Sequence, residues 1–239
     1  MGQRGLMAFA APTDPARRAT AWLDQLYGGL VELAVPRPVR ETDTAWLMAC
    51  RTRPQPGFPR TPMLAASVVV PKIGGHPFHP ASAAPLADME PVSPEEAAHR
   101  VTEQNRRINA RGCVASVHSM LDGNPSVALP WQPFHEAPGW WGRLRRRYLP
   151  GFGSVPVDDW SDVVRAIREP GPDTRGVVWV RREADGQEVT GNLVYAHNNR
   201  GQAVFLDGVT AALARLDTDS VRELVLLRAL SPTPPPSSR

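Results

Sequence analysis

The side chain best suited to chemistry is the thiol of Cys113, in the run Arg111-Gly112-Cys113-Val114-Ala115-Ser116-Val117-His118-Ser119-Met120-Leu121. Small and apolar residues at Cys113, Val114, Val117, Met120 and Leu121 recur at helical spacing, and Asp122-Gly123 ends the run. The spacing predicts a buried helix with Cys113 on its first turn. There, unpaired amides and the positive end of the helix dipole would favour the thiolate and lower the pKa from about 8.5. A thiolate backed by a histidine and a carboxylate from later strands attacks carbonyl groups. The plainer alternative is a small buried residue, which is what most free cysteines are. The stretch alone leaves both readings open.

Other reactive types are sparse. His76 and His79, in Gly74-Gly75-His76-Pro77-Phe78-His79-Pro80, have metal-ligand chemistry but no cysteine or third ligand nearby, so they read as loop residues. No metal and no cofactor are expected. Trp140-Trp141-Gly142-Arg143-Leu144-Arg145-Arg146-Arg147-Tyr148 joins aromatics to arginines, as single-stranded nucleic-acid sites do. In a chain of net charge +3 that cluster reads instead as a solvated face or docking patch. Lys72 is the only lysine, and 26 prolines accompany the arginines, a coding bias that says little about partners.

The elements that must position these groups follow in order. Residues 1–13 read as a loose tail. Asp14-Pro15 opens a helix with Trp22, Leu23, Leu26 and Tyr27 on one face, stopped at Gly28-Gly29. Leu30–Val35, Ala45–Cys50 and Leu64–Val70 read as strands between proline-rich loops. Ser93-Pro94-Glu95-Glu96 opens a second helix, with Ala97, Ala98, Val101 and Ile108 as its apolar side, running to Ile108 as a joint between two units. The chain ends in a proline-rich stretch, 231–239, that reads as disordered. Two distant cysteines, Cys50 and Cys113, make no disulfide framework, so a reducing cytoplasm is the default, with export by a non-classical route left open. No apolar run is long enough to span a membrane.

Residues 14–92 resemble the YrhB-like family, small α+β domains grouped with bacterial immunity proteins. Val39–Thr52, with Glu41-Thr42-Asp43-Thr44-Ala45-Trp46-Leu47, and Pro62–Pro80 carry that likeness. Residues 93–230 resemble the papain-fold toxins, which are glutamine deamidases. Four pieces carry this second likeness: Ile108-Asn109 with Gly112-Cys113 and its helix; Gly151–Ile167, a loop and a helix through Trp160, Val163, Val164 and Ile167; Gly171–Val180, a loop feeding a strand; and a hairpin, Gly191–Asn198 with Ala203–Gly208, turned at Asn199-Arg200-Gly201.

The second resemblance implies a papain-like α+β unit, a cysteine-bearing helix packed on an antiparallel sheet, after a small helix-plus-antiparallel-sheet unit. It places the nucleophile at Cys113 and the acidic triad member at Asp207. The family's histidine follows a glycine, and here that place reads Gly191-Asn192. A polar residue tends to precede the nucleophile, where this chain has Gly112, and a glutamine two past the acid is Val209. Asn192 cannot take a thiol proton near neutral pH. Among other histidines, His197 lies five residues past Asn192, on the opposite strand face and about 16 Å along. His118 lies five past Cys113 on the helix, away from its face, and His135 sits in the Trp131–Trp141 loop. The resemblance thus implies either a degenerate deamidase that acts by binding a protein partner, or a deamidase using Cys113 and Asp207 with His197 or His135 as base.

Overall fold

The computed structural model describes residues 14–57 and 62–229, so the tails expected at 1–13 and 231–239 lie outside the described residues. Helix α1 (Pro15–Tyr27) begins as its sequence demands. Asp14 accepts the Ala16 N–H, Pro15 occupies the first turn, and Gly28 ends the helix at a φ of 57°. Ala19, Leu23 and Tyr27 face inward, onto an antiparallel sheet of β1 (Val31–Leu33), β2 (Arg40–Glu41), β3 (Ala45–Thr52) and β4 (Ser67–Pro71). Strand β3 is the centre and pairs with the other three. Two of the expected strands are shorter than their apolar runs. Leu64, Ala65 and Ala66 are buried outside any strand because other groups take their backbone bonds.

The helix expected from Ser93 to Ile108 is broken. Ser93 caps α2 (Pro94–Thr102) by accepting the Glu96 N–H, but Glu103, at ψ 4°, separates it from the short α3 (Gln104–Arg107). The apolar side read into it is not buried either: α2 buries no residue and Val101 is 44% exposed, whereas Ile108 beyond it is buried.

The thiol helix α4 (Ala110–Leu121) and the arginine-rich α5 (Trp140–Tyr148) follow. A six-stranded antiparallel sheet completes the chain, in the order β5-β10-β6-β7-β8-β9. Its strands are β5 (Phe152–Val155), β6 (Arg175–Ala184), β7 (Gln187–Asn199), β8 (Gln202–Asp207), β9 (Ala212–Leu213) and β10 (Val221–Ala229), with α6 (Trp160–Arg168) between β5 and β6. Asn199 pairs with Gln202, and the two residues between them, Arg200 and Gly201, both have positive φ, as a tight hairpin turn requires.

The sheet is covered on both faces. Val177, Trp179, Leu193 and Tyr195 meet Ala110 and Val114 of α4 and Trp140 and Leu144 of α5. Val178, Val180, Val194 and Phe205 meet Val163 and Ile167 of α6. The molecule is therefore α+β, helices packed on antiparallel sheets. Among the described residues no helix is long and apolar enough to cross a membrane.

The division expected at 14–92 and 93–230 separates the two sheets, and several buried bonds run across it. Gly191 N–H donates to Leu64 O at 3.0 Å, and Thr190 and Ser67 hydroxyls meet at 2.8 Å. Trp140 Nε1 donates to Pro62 O at 2.7 Å. Glu136, fully buried, pairs with Arg111 at 2.6 Å and accepts the Leu64 and Ala65 N–H groups at 2.9 and 3.3 Å. Burial pushes the Glu136 carboxyl up, but the charge and hydrogen bond of Arg111 outweigh it, and the net shift is downward.

His79 lies in the connection after β4, as read, but is not solvated. It is fully buried, with Tyr27 Oη 2.7 Å from Nε2 and Ser67 O 2.6 Å from Nδ1. A carbonyl can only accept, so Nδ1 carries the proton and Nε2 accepts from Tyr27.

Candidate active site around Cys113

Helix α4 starts at Ala110, so Cys113 is its fourth residue. Asn109 caps the helix by accepting the Gly112 N–H at 3.3 Å, and its own amide donates to Leu129 O at 2.7 Å. The Cys113 N–H already donates to Asn109 O at 3.0 Å. A loop is therefore drawn across the helix start, where Ser116 Oγ also holds Ser126 O at 2.6 Å. Gly112 is required by this crossing: a Cβ there would lie 2.5 Å from Leu129 O. The helix is only half-buried. Ala110, Arg111 and Val114 are covered, while Met120 and Leu121, read as part of its apolar face, are 59% and 36% exposed.

On the sheet side, the end of β8 runs against the thiol residue. A Cβ on Gly208 would lie 2.9 Å from Cys113 Cβ and 3.1 Å from its carbonyl. The neighbouring Asp207 is buried; its Oδ2 accepts the Asn192 amide at 3.1 Å and its Oδ1 accepts the Val209 N–H at 2.8 Å. Asn192 Oδ1 in turn accepts the Leu193 N–H at 2.8 Å. Leu193 belongs to the core beneath α4 and α5, and Val194 to the core beneath α6. The structure brings Asn192 and Asp207 together, and sets Gly208, next after Asp207, against Cys113.

The electrostatics follow from that placement. Burial pushes the Cys113 thiol above its ordinary pKa, the Asp207 charge adds to the rise, and Arg106 opposes it. The sequence-based expectation of an acidified thiol fails for this reason. The Gly112 and Cys113 amides are already engaged, and the Asp207 charge opposes the thiolate more than the Arg106 charge favours it.

The three histidines each have other engagements. His118 Nδ1 is 2.8 Å from the buried Tyr195 hydroxyl, and burial holds its pKa below the usual value. His197 stands opposite Arg175 at the far end of β7, with Nε2 3.5 Å from Asp173 and no hydrogen bond from that nitrogen. His135 Nδ1 accepts the Gln132 N–H at 3.1 Å, and burial followed by Arg111 lowers its pKa. Among the described residues no group of three or more His, Cys, Asp or Glu side chains could hold a metal ion.

Sequence reading missed two contributors to the site. Gly208 and Asn109 decide how closely strand, helix and loop approach Cys113. Asn109 before an apolar helical run is a recognisable cap signal; Gly208 carries none, because its partner lies on a distant element.

No curated protein matches this chain at a significant level. A solved structure of a variant of the Salmonella effector SpvD aligns with a TM-score of 0.35 and 11% identity, over 52% of this chain and 70% of that one, too slight a likeness to carry an argument. Residues 108–211, which hold α4, the hairpin and all three residues of the candidate site, match the family of papain-fold toxins described as glutamine deamidases.

Proposed function

We propose that the protein is a papain-fold glutamine-deamidase relative of a bacterial toxin and immunity system that acts by binding a protein partner rather than by catalysis. In this reading Cys113 holds the nucleophile position, Asn192 the position of the family histidine, and Asp207 the acidic position. The observation that carries it is the Asn192–Asp207 hydrogen bond: an amide that does not titrate holds the carboxylate an imidazole would need. Two features agree with it. The Cys113 and Gly112 amides, which would otherwise steady an oxyanion, donate within the cap. The thiol pKa is raised, so little thiolate forms at neutral pH. The YrhB-like likeness of residues 14–92 fits an accessory or immunity role. The division at residue 92 is part of the same proposal.

The test is intact-mass spectrometry of glutamine-bearing proteins incubated with the chain. Deamidation adds about one dalton by replacing NH₂ with OH, releasing ammonia and consuming water. The expected result is no Cys113-dependent shift with the wild-type chain. Turnover at ordinary enzyme rates that Cys113→Ala abolishes would establish an active deamidase, and His197→Ala and His135→Ala would then locate the base.

A further inference from the structure

The aromatic-basic cluster of residues 140–148 is divided by the fold. Trp140 is buried and Trp141 partly buried, with ring centroids 4.7 and 5.5 Å from Trp179, so both indoles pack against the core. Arg143, Arg145, Arg146 and Arg147 all remain exposed. Arg143 is held by the carbonyls of Ala137 and Pro138, and Arg147 lies over the Tyr148 ring at 5.3 Å. Among the described residues no carboxylate pairs with any of the four. This contrasts with Arg51, Arg100, Arg107, Arg181 and Arg182, each of which has an acidic partner. Phe134 stands 66% exposed on the turn that carries Ala137 and Pro138, and Arg143 reaches back to that turn.

We infer that the outer face of α5, with Phe134 at its edge, is a docking surface for an acidic polypeptide segment. A cluster of guanidinium groups without carboxylate partners gains most from an anion, and planar guanidinium pairs carboxylates in a bidentate way. Arginine beside an exposed aromatic is the composition of protein-interface hot spots. Base stacking is disfavoured because Trp140 is buried and Trp141 packs against Trp179. The surface does not depend on Cys113, so it stands or falls apart from the proposed silence of the thiol.

The test is fluorescence anisotropy with a fluorescein-labelled peptide of repeating Glu-Glu-Leu, run beside phosphatidylserine vesicles and a single-stranded oligonucleotide. The peptide should bind, and more weakly at high salt. Combined Arg145→Glu, Arg146→Glu and Arg147→Glu should weaken it by at least about tenfold, and Phe134→Ala by about threefold. The pair Arg17→Glu and Arg40→Glu, on α1 and β2, should leave binding unchanged. Circular dichroism checks folding; if the triple variant fails to fold, Arg146→Gln, which gives up no hydrogen bond, must show the same direction. Unchanged peptide binding in the arginine variants would overturn the inference. So would tighter, arginine-dependent binding of vesicles or oligonucleotide.

Discussion

The proton on Cys113 is held by two effects that a change at one residue can separate. Burial is the larger, and the Asp207 charge adds to it. Alkylation rate against pH should therefore show one step above the free-cysteine value of about 8.5. Asp207→Asn should move that step downward without bringing it to neutrality, because burial remains. Cys50, fully buried, should not react until the chain unfolds. A wild-type step well below the free value would show that the helix dipole dominates after all.

At the scale of elements, the start of α4 is where loop, helix and strand are held at close range. Gly112→Ala would drive a methyl into the Leu129 carbonyl, a backbone atom that cannot swing aside. The expected cost is on the order of 1–3 kcal/mol. Asn109→Ala should cost about 1 kcal/mol or somewhat more, since the cap and the bond to Leu129 are lost together. Urea midpoints measure both, and a neutral Gly112→Ala would mean that the 126–130 loop is not held against the helix. The α4 helix itself is legible from its apolar spacing and cap. Its degree of burial is not, because Met120 and Leu121 are apolar but remain exposed.

Across the whole molecule, buried polar groups join the first sheet to the second. Glu136→Ala would leave Arg111 buried without its partner and remove the acceptor of two backbone amides. That should cost about 3–5 kcal/mol, much of it recovered by a joint Arg111→Met and Glu136→Leu replacement. Both sheets should unfold in one transition; two separated transitions would show that the junction is weak. His79 makes the fold acid-sensitive. Burial lowers its pKa to about 4 against an unfolded value near 6.5, so between those values the folded chain keeps it neutral while the unfolded chain binds a proton. The stabilisation is complete above about pH 6.5 and is lost as pH falls toward 4, on the order of 3 kcal/mol in all. His118 and His135 shift the same way. Denaturation at stepped pH should therefore show a shallower slope in His79→Gln, not a flat one.

Local signals determined much by themselves. Asp14-Pro15, Ser93-Pro94 and the turn at Arg200-Gly201 marked where elements start and reverse, because caps and positive-φ turns are chosen by residues within a few positions. The order of helix and hairpin that carries the papain-like resemblance was equally readable. Only the tertiary structure decided that Asn192 bonds to Asp207, that Glu136 and His79 are buried, and that the tryptophans of α5 face inward. The thiol pKa belongs to this second group. A helix N-terminus is a local feature that favours the thiolate, but burial and the Asp207 charge arise from a strand ninety-odd residues later. Those longer-range terms outweigh the local one because the partial burial of the thiol and the Asp207 charge both penalise the thiolate.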